Sequence, residues 1–413
     1  MLEEKKQGMC PVFSFPFFCG NLVRMKEEFV LYRKYRPQHF SEVFGQEHIV
    51  NVLSNALLQK RIAHAYLFSG PRGSGKTSIA RIFARAVNCA VLARPENDSS
   101  KRASRISPQS SGGKTPPCNA CESCKAFMSG QTLDLIEMDA ASNRGIEEVR
   151  ALKEGALTLP SQGVYKVYII DEMHMMTAPA FNAFLKILEE PPAHVIFIMA
   201  TTEPEKIPDT IISRTQHLHF HALPEATVTK ALAHVAKKEG FTIDAEAVSL
   251  LSFLSEGSLR DGLNLLLQVQ GIAGKTVTAK HVRDVFGVPA RELVEGLMDA
   301  ICSKNADAAA HAISEMSKIS VSYDVFLQQT IRNFRFLLLA TLDPKFSDSM
   351  KGLIGEQEFD YIAGKRGTLT GEELRTILAT LLYTANVHYQ SPYPSLPLEL
   401  AVSKIMSVLL RTA

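Results

Sequence analysis

Residues 64–87 read HAYLFSGPRGSGKTSIARIFARAV, and this stretch decides the fold around it. The apolar run His64–Ser69 predicts a strand buried on both faces, and Lys76–Val87 has the spacing of an amphipathic helix. Between them, the pattern G-x-x-x-x-G-K-[ST] brings backbone N–H groups to the positive N-terminus of a helix, an arrangement that binds phosphate. The predicted nucleotide-binding residues are Gly70, Pro71, Arg72, Gly73, Ser74, Gly75, Lys76 and Thr77.

Two residues of this loop have individual expected roles. Lys76 would reach the β- and γ-phosphates of a nucleotide, and the Thr77 hydroxyl would hold Mg²⁺. A chance glycine-rich turn is the alternative interpretation. The strand before the loop and the helix after it favour a nucleotide site, because the motif requires that context.

The alternation of apolar strands and amphipathic helices continues through residues 31–222. Further strands are predicted at 133–138, 166–170 and 195–200, and further helices at 146–156 and 178–188. Short apolar runs of this kind are typical of a parallel sheet that is covered on both faces. We therefore predict a doubly wound α/β domain with a parallel sheet.

Two neighbouring acids, Asp171 and Glu172, follow the strand predicted at 166–170. Asp171 would lie on the Mg²⁺ side, and Glu172 would orient and deprotonate an attacking water, so the pair favours hydrolysis. Two solvated acids that cap the next helix are the alternative. Thr201 and Thr202 end the strand predicted at 195–200, where a hydroxyl would sense the γ-phosphate or hold the water.

Two arginines are further candidates. Arg214 follows a short predicted helix, and its sequence context alone is equally typical of a surface residue. Ser258 is a plausible N-cap, which places Arg260 in the first turn of a helix. A cation is unfavourable there unless it meets an anion, and a γ-phosphate is a natural candidate.

Three of the seven cysteines lie in the pattern Cys118-x2-Cys121-x2-Cys124, and Cys89 ends the helix after the phosphate loop. Four thiolates predict a tetrahedral Zn²⁺ site, in a reducing cytoplasm rather than a secreted disulfide framework. An iron–sulfur cluster is the alternative. Its motif requires Cys-Pro at 128–129, where this chain has Met-Ser.

Length and composition limit the number of domains and the kinds of partner that we expect. At about 150 residues per domain, 413 residues predict three domains. The net charge of +2 gives no strong field toward nucleic acid, so any DNA contact has to be a local basic patch. We find no uncharged apolar run near the ~20 residues that a membrane span requires, and we expect no membrane partner.

Four segments follow from these patterns. Residues 1–30 are expected to be a disordered extension, and Met25 looks like a natural start. Residues 31–222 form the α/β domain, with the cysteine module at 89–124 and a disordered Ser- and Pro-rich loop at 91–117. Strand signals vanish after about 223. Residues 223–288 are expected to form a small helical domain, and 289–413 a third, all-α domain.

Together these features resemble the AAA+ ATPases, and more narrowly the gamma/tau family of clamp-loader subunits of bacterial DNA polymerase III. The resemblance runs from about Leu31 to the C-terminus. It rests on LYRKYRPQHFSEVFGQEHI, HAYLFSGPRGSGKTSIAR, DLIEMDAAS, VYIIDEMHMMTAPAFNAFLKILEEPP, ATTEPEKIP and EGSLRDGLNL. Few families combine a phosphate loop with a four-cysteine insertion directly after its helix.

The resemblance implies an ATPase core, a helical lid at 223–288 and an oligomerising collar at 289–413. It implies that Thr202 is sensor 1, Arg260 is sensor 2 and Arg214 is an arginine finger acting on a neighbouring subunit. It also places Tyr32, Arg36, Pro37 and Val43 in the adenine pocket, and Arg144, Arg150 and Lys186 at positions that follow the primer–template backbone. For each of these last three, a solvated helix face is the alternative.

The implied function is ATP-driven loading of a sliding clamp onto primer–template DNA in the cytoplasm, with ATP, Mg²⁺ and Zn²⁺ as ligands. The implied partners are delta, delta-prime and further gamma/tau copies in a hetero-oligomeric ring of the DNA-directed DNA polymerase holoenzyme.

The sequence departs from the family pattern at one motif, because the family's Ser-Arg-Cys reads Ser213-Arg214-Thr215 here. The chain ends after the predicted collar, which we interpret as a gamma-like length. Another AAA+ DNA-remodelling ATPase and a zinc-containing scaffold that barely hydrolyses ATP remain alternatives.

Overall fold

The computed structural model describes residues 30–93, 116–318, 321–342, 356–387 and 393–410. The predicted extension therefore lies outside the described residues, apart from Val30, and so does segment 94–115 of the predicted loop. The expectation of a loop from residue 91 is wrong at its start, because Val91 and Ala93 belong to a short helix, Ala90–Ala93. Leu92 packs against the core beside the phosphate-loop helix, which explains why the chain stays helical there.

A five-stranded sheet forms the centre of the N-terminal domain. Its strands are β1 Ala65–Ser69, β2 Leu135–Asp139, β3 Lys166–Asp171, β4 Val195–Thr201 and β5 Gln216–His219. They pair in the order β2-β3-β4-β1-β5, and every pair is parallel. Because the strands are parallel, their carboxyl ends meet at one edge of the sheet.

Helices cover both faces of this sheet. The described helices of the domain are α1 Leu31–Lys34, α2 Glu47–Leu58, α3 Lys76–Val87, α4 Ala90–Ala93, α5 Glu122–Ser129, α6 Ile146–Ala156, α7 Ala178–Glu189 and α8 Asp209–Ile212. Successive strand residues alternate between the layers. Tyr66 and Phe68 belong to the cluster with α2 and α3, whereas Leu67 belongs to the cluster with α6 and α7. The predicted doubly wound α/β fold is confirmed.

Four helices follow the sheet domain: α9 Glu225–Glu239, α10 Ala245–Leu254, α11 Leu259–Ala273 and α12 Ala279–Phe286. They share one buried cluster, to which Leu31 of α1 also contributes. The expectation that strands vanish after 223 is wrong, because β6 Thr242–Ile243 and β7 Thr276–Val277 form a parallel pair. Two residues are too short for a period-2 pattern, so the sequence gives no signal for this pair.

In the described residues of the C-terminal region, the regular secondary structure is all helical. Its helices are α13 Arg291–Cys302, α14 Ala306–Ser317, α15 Tyr323–Leu342, α16 Glu356–Gly364, α17 Gly371–Asn386 and α18 Leu396–Leu409. They pack around a cluster separate from that of α9–α12. The domain boundaries at 222 and 288 stay predictions, with which this separation agrees. In the described part of the chain, no helix is both long and apolar enough to cross a bilayer.

Leu67 gives a direct test of the two-layer core, because its side chain is fully buried in the centre of β1. We expect Leu67→Ala to destabilise the N-terminal domain by about 2–5 kcal/mol, through lost burial and a residual cavity. Leu159 is the matched control, since 76% of it is exposed. Leu159→Ala should change stability by less than about 0.5 kcal/mol. Urea unfolding followed by circular dichroism measures both, and equal effects would contradict this core.

Candidate nucleotide-binding site

The phosphate loop joins the end of β1 to the start of α3, as the motif requires. Gly73 and Gly75 have positive φ angles, 73° and 101°, which favour glycine. Gly70 is required for a different reason, since a Cβ atom on it would lie 2.3 Å from the carbonyl oxygen of Phe220. The loop therefore turns sharply and leaves its N–H groups at the N-terminus of α3.

Lys76 is the first residue of α3, and only 6% of it is exposed. Its Nζ donates hydrogen bonds to the carbonyl oxygens of Gly70, at 2.7 Å, and Pro71, at 2.9 Å. Burial lowers the pKa of Lys76, and the charges of Glu172 and Asp171 oppose that effect. The ammonium is thus held in the loop, where phosphate oxygens would offer it a stronger, charged acceptor.

Thr77 and Asp171, predicted as Mg²⁺ ligands from separate parts of the chain, are in direct contact. Thr77 Oγ1 donates a hydrogen bond to Asp171 Oδ2 at 2.8 Å. Asp171 ends β3, and its Oδ1 accepts a hydrogen bond from the Glu172 backbone at 3.0 Å. A hydroxyl and a carboxylate beside a phosphate loop match the oxygen donors that Mg²⁺ prefers.

Glu172 has the backbone conformation of a constrained residue. Its φ is 48° and its ψ is 45°, in the left-handed region that non-glycine residues seldom adopt. Thr202 Oγ1 donates a hydrogen bond to Glu172 Oε2 at 3.1 Å. Residues held in such conformations cluster at functional sites, because the surrounding structure has to offset their strain. The contact joins the predicted general base to the predicted sensor threonine.

His174 is a neighbour of Glu172 that the sequence pattern did not single out. Only 6% of its side chain is exposed. Its Nδ1 lies 3.1 Å from Thr201 Oγ1 and 3.5 Å from Glu172 Oε2, and its Nε2 lies 3.0 Å from Glu203 Oε1. The imidazole thus connects the end of β3 to the segment after β4. A histidine three residues after the strand carries no signal of its own, since only the pairing of β3 with β4 creates these contacts.

The cleft next to the phosphate loop collects most of the predicted nucleotide-binding residues. Its predicted lining residues are Tyr32, Arg36, Pro37, Val43, Arg72, Gly73, Ser74, Gly75, Lys76, Thr77, Asp171, Glu172 and Arg260. Further lining residues that the sequence did not indicate include Tyr35, Glu42, Phe44, Leu223, Leu259 and Leu263. Most of these are apolar or aromatic residues, which the sequence cannot distinguish from ordinary core positions.

The lid helices close one side of this cleft. Ser258 caps α11 as predicted, accepting a hydrogen bond from the Asp261 backbone at 3.2 Å. Arg260 lies in the first turn of α11, with its guanidinium 4.8 Å from the centre of the Tyr32 ring. A Cβ atom on Gly73 would lie 1.8 Å from Ser258 Oγ, so the phosphate loop and the lid are in close contact.

Arg214 lies elsewhere, and it is not among the described residues that line the cleft. Its guanidinium donates hydrogen bonds to the Thr210 carbonyl oxygen and to Glu189 Oε1, both at 2.9 Å. About a third of the side chain, 36%, is exposed. A role for Arg214 in catalysis would therefore have to be exercised on another molecule.

The three DNA-contact candidates are exposed. Arg144 precedes α6, and its carbonyl oxygen accepts a hydrogen bond from Thr177 at the start of α7. Arg150 pairs with Glu147 at 2.6 Å on the first turns of α6. Lys186 lies in the last turn of α7, away from the start of that helix. The structure brings the starts of α6 and α7 together.

The four cysteines of the predicted metal site come together. The sulfur atoms of Cys89, Cys118, Cys121 and Cys124 all lie within 4.8 Å of one another. Backbone N–H groups of the last three donate to sulfurs at 3.4 Å. A hydrogen bond from Cys124 lowers the pKa of the Cys89 thiol, and the same contact raises the pKa of Cys124. Tetrahedral Zn²⁺ with bonds near 2.3 Å separates its sulfurs by about 3.8 Å, so the cluster fits this ion.

Comparison with known proteins adds the family. A family model for the delta subunit of DNA polymerase III matches residues 45–224. A model for the ATPase lid domain of DNA polymerase III clamp loader subunits matches residues 227–273. The DNA polymerase III subunit gamma of Buchnera aphidicola (subspecies Schizaphis graminum) is 35% identical over 81% of this chain and 86% of its own length. The chain belongs to the gamma/tau subunit family of bacterial DNA polymerase III.

Longer members of the family extend the comparison. The tau subunit of Bacillus subtilis is 36% identical over 91% of this chain. The gamma/tau subunit of Mycobacterium tuberculosis H37Rv is 42% identical over 75% of it. The chain spans 62% of the first relative and 50% of the second.

Solved structures resemble the chain at lower similarity. The RuvB Holliday junction branch migration motor of Thermotoga maritima covers 71% of this chain, with a TM-score of 0.45 and 16% identity, over 91% of its own length. The DNA clamp loader delta protein of Bacillus subtilis covers 86% of this chain and 99% of its own, with a TM-score of 0.34 and 13% identity.

Proposed function

We propose that this chain is an ATP-hydrolysing subunit of a bacterial sliding-clamp loader, which places the clamp onto primed DNA for replication by DNA polymerase III. One observation carries the proposal. Lys76, the Thr77–Asp171 pair and Glu172 line a single cleft beside the lid, and Thr202 donates a hydrogen bond to Glu172. Membership of the gamma/tau family supplies the biological setting.

The residues divide the work of hydrolysis between them. The phosphate loop and Lys76 bind the β- and γ-phosphates, and Thr77 and Asp171 would hold Mg²⁺, which offsets phosphate charge. Glu172 orients the attacking water and accepts its proton, while Thr202 fixes the carboxylate at 3.1 Å. Arg260 reaches the same space from the lid, beside Tyr32, where its charge meets the γ-phosphate.

The phosphate-loop lysine and the proposed base should fail in different ways. Lys76→Ala should abolish hydrolysis and sharply weaken ATP binding, because the buried ammonium over the phosphates is lost. Glu172→Gln should keep ATP bound but unhydrolysed, since the amide cannot accept the proton. Equilibrium binding of a fluorescent ATP analogue and a phosphate-release assay measure the two effects. Equal turnover in Glu172→Gln and the unsubstituted protein would refute the general-base role.

The same phosphate-release assay separates clamp loading from other uses of ATP. Assembled with its partner subunits, the chain should hydrolyse ATP faster when primed DNA and sliding clamp are both present. Slow hydrolysis that neither of them changes would instead indicate a scaffold that binds ATP to assemble. Stimulation by branched DNA without a clamp would indicate a DNA-remodelling ATPase.

We propose that Arg214 acts on the ATP of a neighbouring subunit. Its absence from the described residues that line its own cleft and its partial exposure support this, as does its position just before β5 at the side of the domain. The Glu189 carboxylate holds the guanidinium at 2.9 Å and thus limits the directions in which it points. The proposed neighbours are delta, delta-prime and further gamma/tau copies in a ring, in the cytoplasm.

Arg214→Ala should bind ATP normally and still assemble, yet lose clamp- and DNA-stimulated hydrolysis. An arginine finger contributes about 10³–10⁵ in rate where it has been removed from comparable sites. Mixed with Lys76→Ala chains, the variant should recover some turnover, because each chain supplies what the other lacks. Phosphate release from mixed assemblies, with mass photometry to show that they form, is the measurement. Mixed assemblies no more active than either variant alone would make Arg214 an ordinary surface residue.

We propose that the four-cysteine module holds structural Zn²⁺. Four sulfurs leave no coordination position for a substrate, which is typical of a structural site. The proposed ligands come from the end of α3 and from the segment around α5, so the ion would fasten these two parts of the domain together.

The purified protein should carry about one Zn²⁺ per chain, since structural sites bind a single four-coordinate ion. Cys121→Ser should lower that content and loosen residues 116–130, because metal binding and local folding are coupled. Elemental analysis and hydrogen–deuterium exchange measure the two effects. Cys302→Ser is the control, since this buried thiol lies in the C-terminal domain. Iron with sulfide, or no metal at all, would overturn the zinc assignment.

A further inference from the structure

The four-cysteine module contacts a wall of the nucleotide cleft through Asn119. This residue lies between Cys118 and Cys121, and its φ of 52° is one that asparagine tolerates better than most residues. Its Nδ2 donates hydrogen bonds to the Gln38 carbonyl oxygen at 3.2 Å and to His39 Nε2 at 2.7 Å. These contacts join the module to a segment more than 75 positions earlier in the chain.

The side chain of Arg85 contacts the same segment. It lies in α3, and only 5% of it is exposed. Its Nη1 donates to Gln38 Oε1 at 2.9 Å, and its Nη2 donates to the Gln38 carbonyl oxygen. Burial lowers the pKa of Arg85, and the nearby Cys124, Glu42 and Cys89 oppose this. Gln38 is therefore held from two directions, by the module and by the helix that follows the phosphate loop.

The segment that is held forms part of the cleft. Arg36, Pro37 and Val43, on either side of Gln38 and His39, all line it. The segment also has an internal hydrogen bond, which the backbone N–H of Gln38 donates to Glu42 Oε2 at 2.6 Å. Because these contacts constrain the segment, a displacement of Gln38 would also move the lining residues Arg36, Pro37 and Val43.

We propose that the four-cysteine module supports this wall of the cleft, and that Asn119 is the positioning residue that connects them. The inference rests on the proposed function, in which the cleft binds ATP. Four thiolates around one divalent ion would keep a net negative charge, which the buried guanidinium of Arg85, near Cys124 and Cys89, would partly offset. Binding of Zn²⁺ by the module and the position of residues 36–43 would then depend on each other. The module thus affects ATP affinity without contacting the nucleotide.

Asn119→Gly tests the connection in the full chain, because glycine keeps the positive φ and removes only the side chain. We expect ATP to bind about three- to tenfold more weakly, as the loss of one or two hydrogen bonds predicts. Turnover at saturating ATP should stay unchanged, since Lys76, Glu172 and Thr202 are untouched. Amide exchange of residues 36–43 should become faster while Zn²⁺ content stays the same.

Two further variants separate the possible outcomes. Lys125→Ala, on the exposed side of α5, alters the same module without touching the segment and should bind ATP normally. Lys76→Ala reports on the cleft itself: if it leaves affinity unchanged, the proposed function fails rather than this inference. If Lys76→Ala loses affinity while Asn119→Gly retains it, with residues 36–43 equally protected, the module does not support the cleft.

Discussion

Parallel pairing of three strands is the constraint on which the site depends. Ser69 at the end of β1 pairs with Thr201 at the end of β4, and β3 ends beside them at Asp171. Parallel strands leave their carboxyl ends at one edge, where ligands of open α/β sheets bind. The phosphate loop, the carboxylates and the threonines therefore meet, although more than 120 residues separate the first from the last. A shift of one residue in this register would turn each of these side chains to the other face.

The lid forms one side of the cleft and contacts the phosphate loop closely. Gly73 has no side chain, so Ser258 can approach the phosphate loop, and Arg260 follows Ser258 in the first turn of α11. The C-terminal domain in turn contacts the lid, where Arg332 lies 3.4 Å from Glu225 and 5.1 Å from the Phe253 ring centre. The cleft, the lid and the C-terminal domain thus form a continuous series of contacts.

The surroundings of Glu172 connect the proposed base to the segment after β4. Its carboxylate is shared between Thr202 and the buried His174, which also contacts Glu203 beyond β4. A base held in this way depends on the segment after β4, and that segment leads to α8 and Arg214. The proposed base and the proposed trans-acting arginine are therefore linked through one stretch of backbone, even though they would serve different active sites.

The sequence alone established the nucleotide loop, the alternation of strands and helices in the N-terminal domain and the cysteine set, because each is encoded in short-range spacing. The family was indicated by motifs that resemble those of its members. The helices Lys76–Val87 and Ile146–Ala156 have the predicted bounds for the same reason. Contacts between residues that are distant in the sequence depend on the three-dimensional fold. The contacts of His174, the hold of Glu189 on Arg214 and the bridge from Asn119 to Gln38 join residues that local periodicity treats as ordinary polar positions. Their partners are set by strand register and helix packing, which bring together atoms that the chain itself keeps far apart.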